Sequence, residues 1–329
     1  MIDKSLDKSI EMNNIEAYYD IYDKACMLIV DKSNYKKYID AFYLFGNFLN
    51  GSYINTNGID DKLLKKLDNQ VFLIEKLNIN NEEVRQAVML LLVKGLKHSN
   101  MNLSYIAPDI LPFLYSYIID RLYDNKDVSI IDVNVGLGVI GNGLINESNK
   151  NIDFTGLSSD EFEINISKVV FDLCMNEANL LVMDALDKRL DNFSSDVAII
   201  NSYNNINNDN KNYYYSLITK YNKLCDYTIS LIDDEFFSRD EAKQFKKEFK
   251  GTILGLIVLP NDLFKSGKRM NILISTRSDK LVNYDLSILT IPSLNDLNNK
   301  EKLNNLTNKL NNWLESISFK NIYGKDWKR

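Results

Sequence analysis

In 329 residues the chain carries one histidine, three cysteines and four prolines. A lone His98 excludes a histidine-built metal cluster and a Ser-His-Asp triad, and its place in the polar phrase "LKHSNMN" suits a solvated or capping residue. Cys26, Cys174 and Cys225 stand far apart with no C-x-x-C pair, which points to reduced, buried thiols and away from a disulfide framework or a zinc site. No proline falls between Pro112 and Pro260. Long apolar runs are also missing: no window approaches the roughly eighteen residues a membrane span needs. The opening "MIDKSLDKSIEMNN" has acids where a secretory signal would be basic, so a cytoplasmic protein without membrane contact is expected. Net charge is -6, and basic residues come only in pairs such as Lys36-Lys37, Lys246-Lys247 and Lys268-Arg269. Strong nonspecific binding through phosphate neutralisation is not indicated by such a distribution.

What is present is an ordinary soluble composition, 45% hydrophobic and 26% charged, long enough for one large core or two modest ones. The first hundred residues read as helices. "IEAYYDIYDKACMLIVD", "YKKYIDAFYLFGNFLNG" and "EEVRQAVMLLLVKGLKH" repeat apolar residues at three- and four-residue steps and end in polar residues or glycine. From Val128 the texture becomes short β-type runs separated by helix-like segments: "VSIIDV", "IDFTGL", "ANLLVM", "DVAII", "DYTISLI", "TILGLIVL" and "MNILIST". Seven such runs joined by crossovers predict a mainly parallel sheet, with ligands bound outside the carboxyl ends of its strands. The tail "LNDLNNKEKLNNLTNKLNNWLESI" reads as an amphipathic helix.

The phrase "IIDVNVGLGVIGNG" follows the first of these runs and places Gly136, Gly138 and Gly141 in G-x-G-x-x-G spacing. Three owners are open: a plain tight turn, a dinucleotide site, and a methyl-donor site. Asp132, four residues before Gly136, makes the phrase D-x-x-x-G-x-G. S-adenosylmethionine has no pyrophosphate to set on a helix N-terminus; it needs carboxylate and amide groups around an amino-acid moiety and close backbone approach. Either cofactor calls for an acid after the second strand, where Ser158 and Ser159 stand with Asp160 beyond. Asp184, in "LLVMDALDKRL", ends the third run, where a carboxylate can accept an adenine amine or simply cap the next turn. Ser158 bonds a hydroxyl only weakly and Asp160 would have to reach back, which weakens either cofactor reading; Asp184 taken with Asp132, Gly136 and Gly138 favours S-adenosylmethionine over a nicotinamide cofactor.

On these phrases the chain resembles the YtxK-like class I S-adenosylmethionine-dependent methyltransferases, relatives of the N-6 adenine DNA methylases. "YIAPDILPFL" is similar to the family's T-P-D segment, with Ala107 for Thr and Pro108-Asp109 kept; "DVNVGLG" is similar to its D-P-x-x-G-[ST]-G loop, with Val133 and Leu137 substituted. "MDAL" and "ILGLIVLPNDLFKSGKRMNILIST" match later segments in order. The resemblance implies a Rossmann-like methyltransferase sheet of seven strands over residues 101–329, preceded by a helical N-terminal domain over 1–100. It also implies S-adenosylmethionine as cofactor, no metal, and nucleic acid, DNA or RNA, as a candidate partner. In the family the fourth strand ends in [DNS]-P-P-[YFW], whose first side chain aligns the target amine while the aromatic stacks on a flipped base. Here the strand is followed by "NSYNN": Asn201 takes the acceptor position as the implied catalytic residue, and Ser202 and Tyr203 replace both prolines. Tyr203 and Pro108 are the implied substrate-side residues. Tyr213, Tyr214 and Tyr215 supply either a displaced stacking ring or, on the preferred reading, packing at the sheet edge. Two functions follow, a methyltransferase acting on an amine or a non-catalytic binding module that keeps the fold.

Overall fold

The computed structural model describes residues 4–51, 58–201, 211–264, 269–277, 286–291, 293 and 300–323, the side chains of 4–13 and 211 excepted. In chain order the elements are α1 (Lys4–Lys32), α2 (Tyr38–Leu49), α3 (Asp61–Glu75), α4 (Asn81–His98), α5 (Ile110–Leu122), β1 (Asp127–Asp132), α6 (Val139–Glu147) and β2 (Asn151–Ser158). They continue with α7 (Glu161–Leu173), β3 (Asn179–Val182), β4 (Ser195–Asn201), α8 (Lys211–Leu224), β5 (Cys225–Asp233) and α9 (Glu241–Glu248). The chain closes with β6 (Thr252–Val258), β7 (Met270–Thr276), β8 (Ser287–Thr290), α10 (Lys300–Ser316) and α11 (Phe319–Tyr323). These divide into two compact units. One holds Met1–Ala107 with Gly136–Asn146 and Glu161–Glu177; the other holds Pro108–Val135, Glu147–Asp160 and Ala178–Arg329.

The described elements of the first unit are all helices. Its starts are set locally: Asp60 accepts the Leu63 N–H at the head of α3, and Asn80 and Glu83 exchange side-chain and backbone bonds in a full capping box at the head of α4. Tyr22, Phe42, Phe45, Leu91 and Leu92 are buried in its core together with Val169 and Leu173 of α7. Gly46 on α2 makes that packing possible, since a Cβ there would lie 2.2 Å from Val169 Cγ1. His98, the last residue of α4, is exposed, with its ring 5.9 Å from that of Tyr38. Cys26 and Cys174 are free and buried in this unit, and burial pushes the Cys174 thiol up to about 12.

The second unit is built on one sheet of order β3-β2-β1-β4-β5-β7-β6-β8. β3, β2, β1, β4 and β5 run parallel, β7 runs antiparallel to both β5 and β6, and β8 lies parallel to β6. The central position of β5 explains its composition: "CDYTISLI" is buried along its whole length, as a strand covered on both faces must be. All seven expected runs are strands, but the described sheet has eight. The eighth, "SILT", is a four-residue edge strand of alternating exposure. It is too short and too polar in its surroundings to stand out as an apolar run. The tail is helical as expected over α10, with Leu310, Trp313 and Leu314 buried. No described helix is long and apolar enough to cross a membrane.

Candidate functional site

Strand order reverses at β1. The chain passes from β1 outward to β2 and β3, then returns to place β4 on the other side of β1, which makes the carboxyl ends of β1 and β4 a topological switch point, the place where open α/β sheets bind ligands. The predicted residues gather along this edge. Asp132 is the last residue of β1, paired with Gly156 and Ile199; Ser158 ends β2 beside Val182; Asp184 follows β3 by two residues; Asn201 ends β4 opposite Leu231.

Asp132 is fully buried and its Oδ1 accepts the N–H of Asn134 at 3.0 Å. The backbone then turns back across the sheet: Val133 N donates to Ile199 O at 3.1 Å and Val135 N to Leu157 O at 3.0 Å. This fold-over needs Gly156, where a Cβ would sit 2.8 Å from Val135 Cγ2 and 2.8 Å from Leu180 Cδ2. Two buried polar atoms in the same unit, the Tyr115 hydroxyl on α5 and Asn134 Oδ1, have no hydrogen-bond partner among the described residues. Burial first, then the neighbouring Tyr214 and Asp132, holds the Tyr115 phenol well above its ordinary range. Buried polar atoms are nearly always paired in a folded protein, so these two leave bonding capacity for a water or a polar ligand beside the buried carboxylate.

The glycines take conformations that L side chains avoid, φ +55° at Gly136 and +80° at Gly138. Within the helical unit Ser167 Oγ donates to Gly136 O at 2.7 Å, and a Cβ on Gly138 would meet Phe171 at 3.1 Å. The turn is thus specific to glycine for both backbone and packing reasons.

Asp184 is exposed and turns its own loop: Oδ1 accepts Leu186 N at 2.8 Å and the Tyr213 hydroxyl at 2.8 Å. The neighbouring Ala185 is buried. Ser158 is buried and its Oγ accepts the Asp160 N–H at 3.0 Å, while the Asp160 side chain is exposed. Pro108 is partly buried at the turn into α5, with its carbonyl accepting Leu111 N at 3.0 Å. Asn201 is buried. Tyr203, with Ser202 and Asn204, lies outside the described residues. Of the three later tyrosines, Tyr214 and Tyr215 serve packing. The Tyr214 hydroxyl lies 3.2 Å from Ile200 O and 2.5 Å from Leu231 O, bridging the ends of β4 and β5. Tyr215 is buried, with its ring 4.5 Å from that of Phe236.

Sequence reasoning missed Gly156, Tyr115, Asn134, Asn142 and Ser167. Only Asn142 left a trace, standing four residues after Gly138 on the helix the glycine turn opens. Among the described residues no group of three or more His, Cys, Asp or Glu side chains could hold a metal ion.

No protein-family model matches the chain, and no curated protein matches it. Solved structures do. A Listeria monocytogenes protein assigned to the class I S-adenosylmethionine-dependent methyltransferases superposes with a TM-score of 0.74 at 21% identity, covering 92% of this chain and 99% of that one. The modification subunit of a protein assigned as a type I restriction enzyme from Vibrio vulnificus gives 0.57 at 14% identity, over 82% of this chain and 65% of that one. A type I restriction-modification methyltransferase subunit from Streptococcus thermophilus gives 0.53 at 12% identity, over 77% and 64%. Strand order, the switch point at β1 and these superpositions agree: the chain has the Rossmann-like fold of the class I S-adenosylmethionine-dependent methyltransferases.

Proposed function

We propose that this chain is an S-adenosylmethionine-dependent methyltransferase of the YtxK-like kind, N-6 adenine methylase-like, acting on an amine of nucleic acid. The observation that carries the reading is the buried Asp132 at the switch point, followed by a turn with two left-handed glycines and accompanied by the Tyr115 hydroxyl and Asn134 Oδ1, which have no hydrogen-bond partner among the described residues. A carboxylate acceptor, an amide oxygen and a phenol suit a ligand bearing both an ammonium and a carboxylate, as the methionine part of the cofactor does. In this reading Asp132, Gly136 and Gly138 hold that part, Asp160 reaches the ribose, and Asp184 accepts the adenine amine beside Ala185. When bound, the cofactor supplies an electrophilic methyl group.

The chain's own contribution to transfer is orientation. Asn201 accepts a hydrogen bond from the target amine through Oδ1 and so aims its lone pair at the methyl group. In-line transfer needs little acid-base chemistry, which accords with the single, exposed His98. Pro108 and Tyr203 are assigned to the substrate side. The segments 1–100 and 101–329 are assigned to support and to chemistry respectively, and the likeness to modification subunits supports nucleic acid as the acceptor class.

A specific departure favours a second reading. Ser202 and Tyr203 stand where the family keeps two prolines, so the acceptor motif is incomplete in this sequence. If catalysis has been given up, the fold serves as a binding module. Incubation with labelled S-adenosylmethionine and mixed DNA and RNA decides between them. The first reading expects label in nucleic acid, with Asn201→Ala lowering the rate roughly 10²-fold at unchanged cofactor affinity. A folded, cofactor-binding protein that labels neither polymer would overturn the first and favour the second.

A further inference from the structure

The helical unit contains a continuous line of side-chain hydrogen bonds ending on the glycine turn. Asn142, fully buried on α6, donates from Nδ2 to Gly138 O at 2.9 Å. Its Oδ1 accepts from Asn176 Nδ2 at 2.9 Å, and the second hydrogen of that amide goes to Asn146 Oδ1 at 3.0 Å. Asn146 Nδ2 donates to Glu82 Oε2 at 3.1 Å. Glu82 is in turn gripped by the buried Arg85, whose Nε and Nη2 donate to its two oxygens at 2.7 and 2.6 Å, with Gln86 donating at 3.1 Å.

The polarity of this line is fixed from its charged end. An anionic Glu82 can only accept, so Asn146 must present its NH2 to it and its carbonyl to Asn176. Asn176 must then donate to Asn142, and Asn142 is left with its NH2 for Gly138 O. The far terminus therefore needs a donor and receives one. Asn176 is brought into place by the end of α7, where its N–H bonds back to Phe171 O at 3.0 Å and Met175 adopts φ +53°. A non-glycine residue in that region is strained, and this terminus keeps it.

We propose that the Glu82–Arg85 pair on α4 is a positioning device for the glycine turn, acting through Asn146, Asn176 and Asn142 to hold the turn in its ligand-ready shape. The N-terminal helices thereby set cofactor affinity without touching the cofactor, because a turn ordered beforehand loses less entropy on binding. The affinity part of this proposal rests on the methyl-donor reading; the ordering of the turn does not.

The test uses the full-length protein and two variants, Glu82→Gln and Asn146→Ala. Glu82→Gln keeps the shape but lets the amide present its NH2 to Asn146, reversing the line. It also removes the negative charge facing the buried Arg85, so Asn146→Ala, at a partly exposed site, guards against a variant that does not fold. Hydrogen exchange of the peptide covering 132–142 is followed in ligand-free protein, with β7 as internal reference and the Asn142 side-chain NH2 resonances as a spectroscopic signature. The expected result is exchange at the turn about fivefold faster or more, with β7 unchanged, the Asn142 resonances shifted, and S-adenosylmethionine bound about fivefold more weakly. Unchanged turn exchange in a folded Asn146→Ala protein would overturn the proposal, whatever the cofactor titration gives. If the wild-type protein does not bind S-adenosylmethionine, the functional reading fails while the exchange data still decide on the turn.

Discussion

Gly138→Val should abolish cofactor binding and cost about 2–5 kcal/mol of stability, the sum of a side chain forced into left-handed backbone and of overpacking. At φ +80° a Cβ on Gly138 is strained on its own account. It would also lie 3.1 and 3.2 Å from Phe171 ring carbons and 3.3 Å from the Ser167 backbone. Neither neighbour can move freely: Phe171 is buried, and Ser167 is tied to Gly136 O. Gly51 supplies the control. Its φ is +70° and a Cβ there would meet nothing within 4 Å, so Gly51→Ala bears the backbone strain alone, about 1–2 kcal/mol. Thermal denaturation of the two variants, with S-adenosylmethionine titrated into each, separates packing from strain. A Gly138→Val protein that binds like the wild type would remove the glycine turn from the site.

Asp132→Ala should weaken S-adenosylmethionine binding roughly 10- to 100-fold, the loss expected for charge-assisted hydrogen bonds to a ligand in a dry site. The sheet should survive, because the backbone pairing of Asp132 with β2 and β4 does not depend on its side chain. Asp160→Ala makes an informative pair with it. Asp160 is exposed, so a bond from it to a ribose hydroxyl is screened by water and worth about fivefold at most. Calorimetric titration of both variants would show this ordering. Equal, small losses at the two positions would mean that burial of Asp132 serves the sheet and not a ligand.

Much of the fold was legible because the physics behind it is local. A strand buried on both faces is rich in apolar and β-branched residues, and each of the seven runs quoted from the sequence became a strand. β8 was not legible: four residues with Ile288 exposed carry no such signature, and their partner β6 is decided by tertiary pairing. The order of the strands and the antiparallel β7 are likewise long-range outcomes that no window of sequence contains.

The places of the candidate residues were legible where a turn or a strand end demands a residue type at a fixed offset. Asp132 and the paired glycines follow from the turn itself, and Asp184 and Asn201 from their places at strand ends. Gly156 was not, since its role is to make room for Val135, twenty-one residues earlier in the chain. The same holds for Tyr213, whose hydroxyl reaches back to Asp184, and for the asparagine line from Glu82 to Gly138. Asparagine is abundant along this sequence, so no single one announces a structural duty. The preferred reading of the tyrosine run as packing describes Tyr214 and Tyr215 well and leaves out the bond that Tyr213 makes.

Isothermal calorimetry of the purified wild-type protein with S-adenosylmethionine, run beside NADH, tests the central claim most directly. The expected result is saturable binding of S-adenosylmethionine at micromolar concentration and none of NADH. Binding of neither ligand by a folded sample, or of NADH alone, would contradict the assignment of Asp132 and its glycine turn to a methyl donor.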